Sequence, residues 1–230
     1  MINLAEHFWT APRIWPDQTV FIIGGGPSLQ DFDWNLIKQY RCIGCNDAYQ
    51  LGDWVDVCCF GDAPWYHIHY KEKLDSQDRG IIPGLESFNG LIVTCHPEFH
   101  DNSNVRCMLR KPRGFSVRPF EVAWNCNTGS ASINLAYHLG AKRAVLLGFD
   151  MGFDKDNKSN WHYNIKDPEQ IKTNPHVFEK FQDWLPYMEK ERQAKVGDTF
   201  KILNATPNSA LEVFPKVKLE DVLAARFAKQ

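Results

Sequence analysis

The sequence predicts an α/β fold: a mostly parallel sheet with helices on both faces. Three observations predict it. Short, continuous apolar runs rich in β-branched residues recur along the 230 residues, helix-compatible segments separate them, and most runs stop on Gly, Asn or Asp. Unbroken apolar runs are what strands buried on both faces require. Residues 19–23 ("TVFII") form the first strand, and 33–39 read as a helix ending near Tyr40. "RCIGCN" (41–46), "VDVCCFG" (55–61) and "GLIVTCH" (90–96) supply three more strands. In "GSASINLAYHLGA" (129–141), Ile133, Ala136, Tyr137 and Leu139 share a helix-like face, and Gly140 provides a C-terminal stop. "AVLLGFD" (144–150) and "FKILNA" (200–205) are the last strands. The order implies one Rossmann-like domain over residues 1–230, with a lid-like segment at about 151–176 and closing helices at the C-terminus.

Composition bounds the function. A formal charge of -2 argues against a surface that tracks nucleic acid throughout. Seven cysteines without paired CxxC spacing read as reduced, buried thiols of a cytoplasmic protein. No apolar run approaches the roughly 18 residues of a membrane helix, so a soluble chain without a membrane partner is expected.

In a sheet of this type, chemistry lies beyond the carboxyl ends of the strands, at the point where strand order reverses. "VFIIGGGPSLQDFDW" (20–34) ends its strand there. Gly24, Gly25 and Gly26 can take positive φ and let a phosphate approach, while Pro27 and Ser28 open a helix whose N–H groups face the anion. The pattern is neither GxGxxG nor a P-loop. A plain strand-to-helix turn would explain an isolated glycine run, but other strands end on Asn46-Asp47, Gly61-Asp62 and Gly148-Phe149-Asp150. A second glycine-bearing loop, "NCNTGSAS" (125–132), offers Thr128, Gly129, Ser130 and Ser132 at a helix start. A nucleotide between two such loops accounts for the whole polar rim.

"IIGGGPSL", Asn46, "NTGSASINLAYHLGAKRAVLLGFDM" and "LNATPNSAL", in that order over about residues 19–215, resemble one superfamily. It joins bacterial CMP-sialic-acid-dependent sialyltransferases, Maf-type flagellin glycosyltransferases and MptE-like 6-hydroxymethyl-dihydropterin diphosphokinases. The resemblance implies that Gly25, Gly26, Pro27, Ser28 and Asn46 hold the donor nucleotide, and that Thr128, Gly129 and Ser130 border it. Where the sialyltransferases carry Asn before Gly-Pro-Ser, this chain has Gly25. Pro207, Asn208 and Ser209 would close the pocket from the other side, and homo-oligomeric assembly is left open.

The connection after Asp150 is too long and polar for an ordinary loop, so it reads as a lid carrying Trp161, His162 and Tyr163. Lid tyrosines and a histidine base before the next helix are similarly used by the related sialyltransferases. Tyr163 would donate to a phosphate, Trp161 would cover the ligand, and His176 or His162 would be the base. By chain position His176 fits the base better. Metal ligation is not expected: His67, His69, His96 and His100 read as solvated loop histidines. Asp62 and Asp150 would hold Mg2+ only if ATP were the substrate. The basic stretch 106–118 reads as a solvated face, with contact to a phosphate or an anionic glycan as the other reading.

The leading expectation is glycosyl transfer from a CMP- or UDP-type sugar to a hydroxyl, with no cofactor and with a saccharide or a modified nucleic-acid base as acceptor. MptE-like pyrophosphoryl transfer from ATP, requiring Mg2+, and a non-catalytic nucleotide-binding module are the alternatives.

Overall fold

A computed structural model describes residues 4–74, 81–155, 159–161 and 176–225. A short helix α1 (Leu4–His7) precedes β1 (Thr19–Ile23), β2 (Arg41–Cys45), β3 (Val57–Phe60) and α2 (Ala63–His69). An antiparallel pair, β4 (Lys73–Leu74) and β5 (Ile81–Ile82), leads to β6 (Leu91–Thr94) and β7 (Arg106–Cys107). A small parallel pair follows, β8 (Leu109–Lys111) with β9 (Glu121–Ala123). Then come α3 (Thr128–His138), β10 (Arg143–Leu147), α4 (His176–Val196), β11 (Lys201–Asn204) and α5 (Leu219–Ala224).

Seven strands form one parallel sheet in the order β11-β10-β1-β2-β3-β6-β7. Strand order reverses at β1, which pairs with β2 on one side and with β10 on the other, Ile23 opposite Leu147. The predicted α/β class with a mostly parallel, Rossmann-like sheet is therefore the observed one.

Alternation along β1 explains its unbroken apolar run. Val20 and Ile22 enter one core with Ile43, Val57 and Leu146, while Phe21 and Ile23 enter the opposite core with Val145 and Leu147. Each such side chain contributes about 1.5–3 kcal/mol through removal from water. Helix α3 lies in the first core through Ile133, Leu135, Ala136 and Leu139. Nearly all of it is buried, polar residues included, so Tyr137 belongs to a helix with no solvent face rather than to one apolar stripe. Asn134 anchors it: its Oδ1 accepts from Ser116 N and Ala123 N, both at 2.9 Å, and its Nδ2 donates to Ser116 O.

The helix expected over 33–39 is only a 3-10 turn, Trp34–Leu36, with the Asp33 carboxylate accepting from Asn35 N. Ile37 alone in this stretch is fully buried, and Leu36 is 42% exposed, so no apolar face exists to hold a longer helix. The basic stretch is a solvated face only in part: Arg106, Arg113 and Arg118 are exposed, whereas Arg110 and Lys111 are half-buried and engaged. Lys111 bonds Glu191 of α4 at 2.6 Å, Arg113 lies over the Trp184 and Tyr187 rings, and Arg110 is tied to backbone carbonyls. Glu191 also accepts from Phe115 N and Lys195. Burial opposes its ionisation, yet these donors, with the Tyr187 hydroxyl, hold its carboxyl down at about 2. No helix among the described residues is long and apolar enough to cross a membrane.

Candidate functional site

A cleft of about 400 Å³ opens over the carboxyl ends of β1, β2, β3 and β10. Its floor includes Gly24–Gly26 after β1, Asn46 and Asp47 after β2, Asp62 after β3, and Gly148–Asp150 after β10. Thr128 and Gly129 bring the first turn of α3 to it. Strand order reverses at this place, and a ligand crevice forms there because the loops of neighbouring strands turn to opposite faces.

The two glycine-bearing loops behave differently. None of Gly24, Gly25 and Gly26 uses the positive φ open to glycine. Glycine is needed because β1 and β10 leave the sheet almost in contact: a Cβ on Gly26 would sit 1.8 Å from Asp150 Oδ2 and 2.6 Å from Gly148 O. Gly24 N and Gly26 N donate to Leu147 O and Gly148 O, each at 2.8 Å. Pro27–Leu29 is a single 3-10 turn, and Ser28 turns both of its donors, N at 3.0 Å and Oγ at 2.8 Å, to the Asp150 carboxylate. The anion bound by the Gly-Pro-Ser turn is thus the chain's own Asp150. Burial raises the Asp150 carboxyl above its ordinary range, against the pull of the Ser28 bonds. Neither Pro27 nor Ser28 lines the cleft.

α3 is the element with open donors. Asn127 caps it by accepting from Ser130 N at 3.0 Å. N–H groups of a first helical turn have no partner within their own helix, so Thr128 and Gly129 bring donors and the positive end of the dipole to the cleft. Ser130 does not join them: it is fully buried and its Oγ donates to Trp124 O at 2.7 Å.

Across the floor, Asn46 holds the left-handed conformation, φ 52°. Its Oδ1 is buried without a hydrogen-bond partner among the described residues, an acceptor whose desolvation is uncompensated. Asp47, 5% exposed, accepts from Trp65 Nε1 at 3.0 Å and pairs with His69 Nδ1 at 3.1 Å. His69 is therefore a buried partner of a cleft carboxylate, not a solvated loop histidine. Its burial came from the tertiary packing of α2, which no local signal marks.

Aromatic rings form the far wall. Trp65 is stacked on His69, ring centroids 4.6 Å apart. Trp124 lies against Gly61, where a Cβ would meet the ring at 1.7 Å, and carries the Arg110 guanidinium 4.8 Å from its centroid. Phe178 and Phe181 of α4 complete the lining, and their i, i+3 spacing was the sequence signal for a shared face. Cys126, at φ 53°, also lines the cleft and is exposed, whereas the six other cysteines are buried. The expectation of seven buried thiols fails at this one. Cys45, also at the cleft, is pushed up to about 12 by burial.

Several predicted site residues lie elsewhere. Asn208 faces a second groove, beside β11. Ser209 is buried, its Oγ donating to Phe149 O at 2.6 Å and accepting from Asn204 Nδ2. Trp161 binds the glycine turn rather than covering the cleft: its N donates to Gly25 O at 2.9 Å and its Nε1 to Gly24 O at 3.0 Å, and its ring meets Trp34. His162 and Tyr163 lie outside the described residues. His176 is the first residue of α4, and its side chain is also outside them. Among the described residues no three His, Cys, Asp or Glu side chains gather as metal ligands would.

No protein-family model matches the chain, and no curated protein matches it. Solved structures share its fold. A Maf glycosyltransferase from Magnetospirillum magneticum AMB-1 superposes with a TM-score of 0.58 at 13% identity, over 97% of this chain and 37% of that one. The sialyltransferase CstII from Campylobacter jejuni, solved with cytidine-5'-monophosphate, superposes with a TM-score of 0.53 at 15% identity, over 88% of this chain and 85% of that one. The chain thus spans little more than a third of the Maf protein and most of the sialyltransferase.

Proposed function

We propose that this chain transfers a sugar from a nucleotide-activated donor of CMP or UDP type to a hydroxyl of a saccharide or of a modified nucleic-acid base, without a metal cofactor. One observation carries the reading: the first turn of α3 enters a cleft at the point of strand reversal, which it shares with Asn46, whose Oδ1 has no partner among the described residues. The donor phosphate would sit on the Thr128 and Gly129 N–H groups, where negative charge leaving with the nucleotide is stabilised most. Asn46 Oδ1 would accept from a base amine or a ribose hydroxyl. Fold likeness to a Maf glycosyltransferase and to a CMP-bound sialyltransferase supports the class.

The acceptor hydroxyl needs a base, and His176 is assigned that role. α4 begins at His176 and its next turn lines the cleft through Phe178 and Phe181. A cation at a helix start meets the positive dipole end, which favours neutral, basic imidazole. Tyr163 would donate to the departing phosphate and His162 would contact the bound substrates, both from the segment between β10 and α4.

Calorimetry with CMP, UDP, GDP and ATP, each with and without Mg2+, tests the donor class. CMP or UDP should bind tightest and without metal. Binding of ATP alone, and only with Mg2+, would replace the reading by pyrophosphoryl transfer. With an active donor in hand, His176→Ala should lower turnover about 100-fold with little change in donor affinity.

A further inference from the structure

The far wall of the cleft is built differently from its floor. Trp124 is only partly buried, yet it is fixed from two directions. Gly61 leaves the space its ring occupies, and Arg110 lies over the ring while bonding Cys95 O at 3.0 Å and Gly61 O at 3.3 Å. A guanidinium held by two backbone carbonyls cannot follow the ring if it swings, so the indole is rigid before any ligand arrives. Phe178 and Phe181, both partly exposed, extend the same wall from α4.

Carboxylates dominate the lining beside this wall, with the Arg110 guanidinium over the Trp124 ring as a cation set against them. Asp62 adjoins Gly61 and makes no capping bond to α2, and Asp47 is bonded to Trp65. With Asp150 they give the lining three carboxylates and, among its described residues, no Lys, Arg or His side chain. Asp150 differs from the other two in being engaged by Ser28 on the glycine-turn side.

We propose that the Trp124 wall is the acceptor subsite, and that it takes a neutral or amino-bearing sugar ring and rejects a sugar carrying a carboxylate. The inference rests on the glycosyltransferase reading. A pyranose presents one face of C–H groups, which packs on an indole, and its edge hydroxyls or an ammonium can donate to Asp47 and Asp62. A carboxylate on that ring would meet the like charges of Asp47 and Asp62, while the Arg110 guanidinium is already engaged by the Cys95 and Gly61 carbonyls.

Ligand-observed saturation-transfer NMR on the full chain tests this with three probes: methyl galactoside, methyl 2-amino-2-deoxyglucoside and methyl glucuronide, each with and without CMP or UDP. Both non-acidic glycosides should bind, with the largest transfer on the protons of one ring face, and the glucuronide should bind at least about tenfold more weakly. Trp124→Ala should weaken them about fivefold and Trp124→Phe should restore most of the loss, the scale of one aromatic contact. Should the alanine variant fail to fold, Phe181→Ala reads the same wall from the other side. Glucuronide binding equal to the others, or undiminished binding in the alanine and Phe181→Ala variants, overturns the proposal. Nucleotide binding with no glycoside bound overturns it and leaves the donor reading standing. Glycosides that bind as stated, in samples where no nucleotide binds, uphold the subsite and remove the donor reading.

Discussion

Replacing Ser28 by Ala isolates the contact that joins the two halves of the cleft floor. It deletes the Oγ donor to Asp150 Oδ2 at 2.8 Å and leaves the N–H bond at 3.0 Å in place. A hydrogen bond to an ionised group is worth about 1.5–3 kcal/mol, so a loss of about 2 kcal/mol at pH 7 is expected. For a chain of this size that lowers Tm by about 4–8 °C. The sign with pH follows from Asp150. Its carboxyl is already raised above 3.8 by burial, with the Ser28 bonds opposing, and removal of one bond raises it further. A raised carboxyl means that the folded chain holds the proton more tightly than the unfolded one, so stability is full below the ordinary value and falls as pH rises through the folded value. The gap between Ser28→Ala and the parent should therefore be small in acid and widen towards neutrality. Urea denaturation of both proteins across this range measures it. Nucleotide affinity should change less than about threefold, because Ser28 does not line the cleft. A cost below about 0.5 kcal/mol at pH 7, or a large loss of nucleotide affinity at unchanged stability, would show that the serine serves a ligand and not Asp150.

Burial holds the His138 imidazole down at about 4, against the opposing bond from its Nε2 to Glu121 O, so the fold loses stability as pH falls from about 6.5 towards 4; denaturation midpoints should record about 3 kcal/mol over that window, and His138→Gln should flatten the slope. Native protein should take up one maleimide, at the exposed Cys126, with the six buried thiols reacting only on unfolding, and a bound nucleotide should slow the reaction; mass spectrometry of the labelled chain counts the adducts. Glu191→Gln removes the carboxylate shared by Lys111, Lys195 and Phe115 N, and should cost about 2 kcal/mol in urea while loosening α4, read as faster amide exchange along that helix.

The sheet was legible because hydrophobicity is a local property. Val20–Ile23 must read as an unbroken apolar run if alternate residues enter two cores, and they do. Strand ends were legible because Gly24, Asn46, Asp62 and Gly148 interrupt or follow the apolar runs, and these residues do gather on one rim. What each polar group does there was not legible. Ser28 looks like an anion-binding serine, but its partner is 122 residues away and is set by the register of β10 beside β1. Arg110 looks like a surface cation until β8 carries it beneath Trp124. His69 looks solvated until α2 turns it onto Asp47. Sequence determines which segments leave water, because that depends on each residue's own transfer free energy. Only the tertiary structure decides which donor meets which acceptor, because a hydrogen bond is won or lost within a few tenths of an ångström between atoms the chain order keeps far apart.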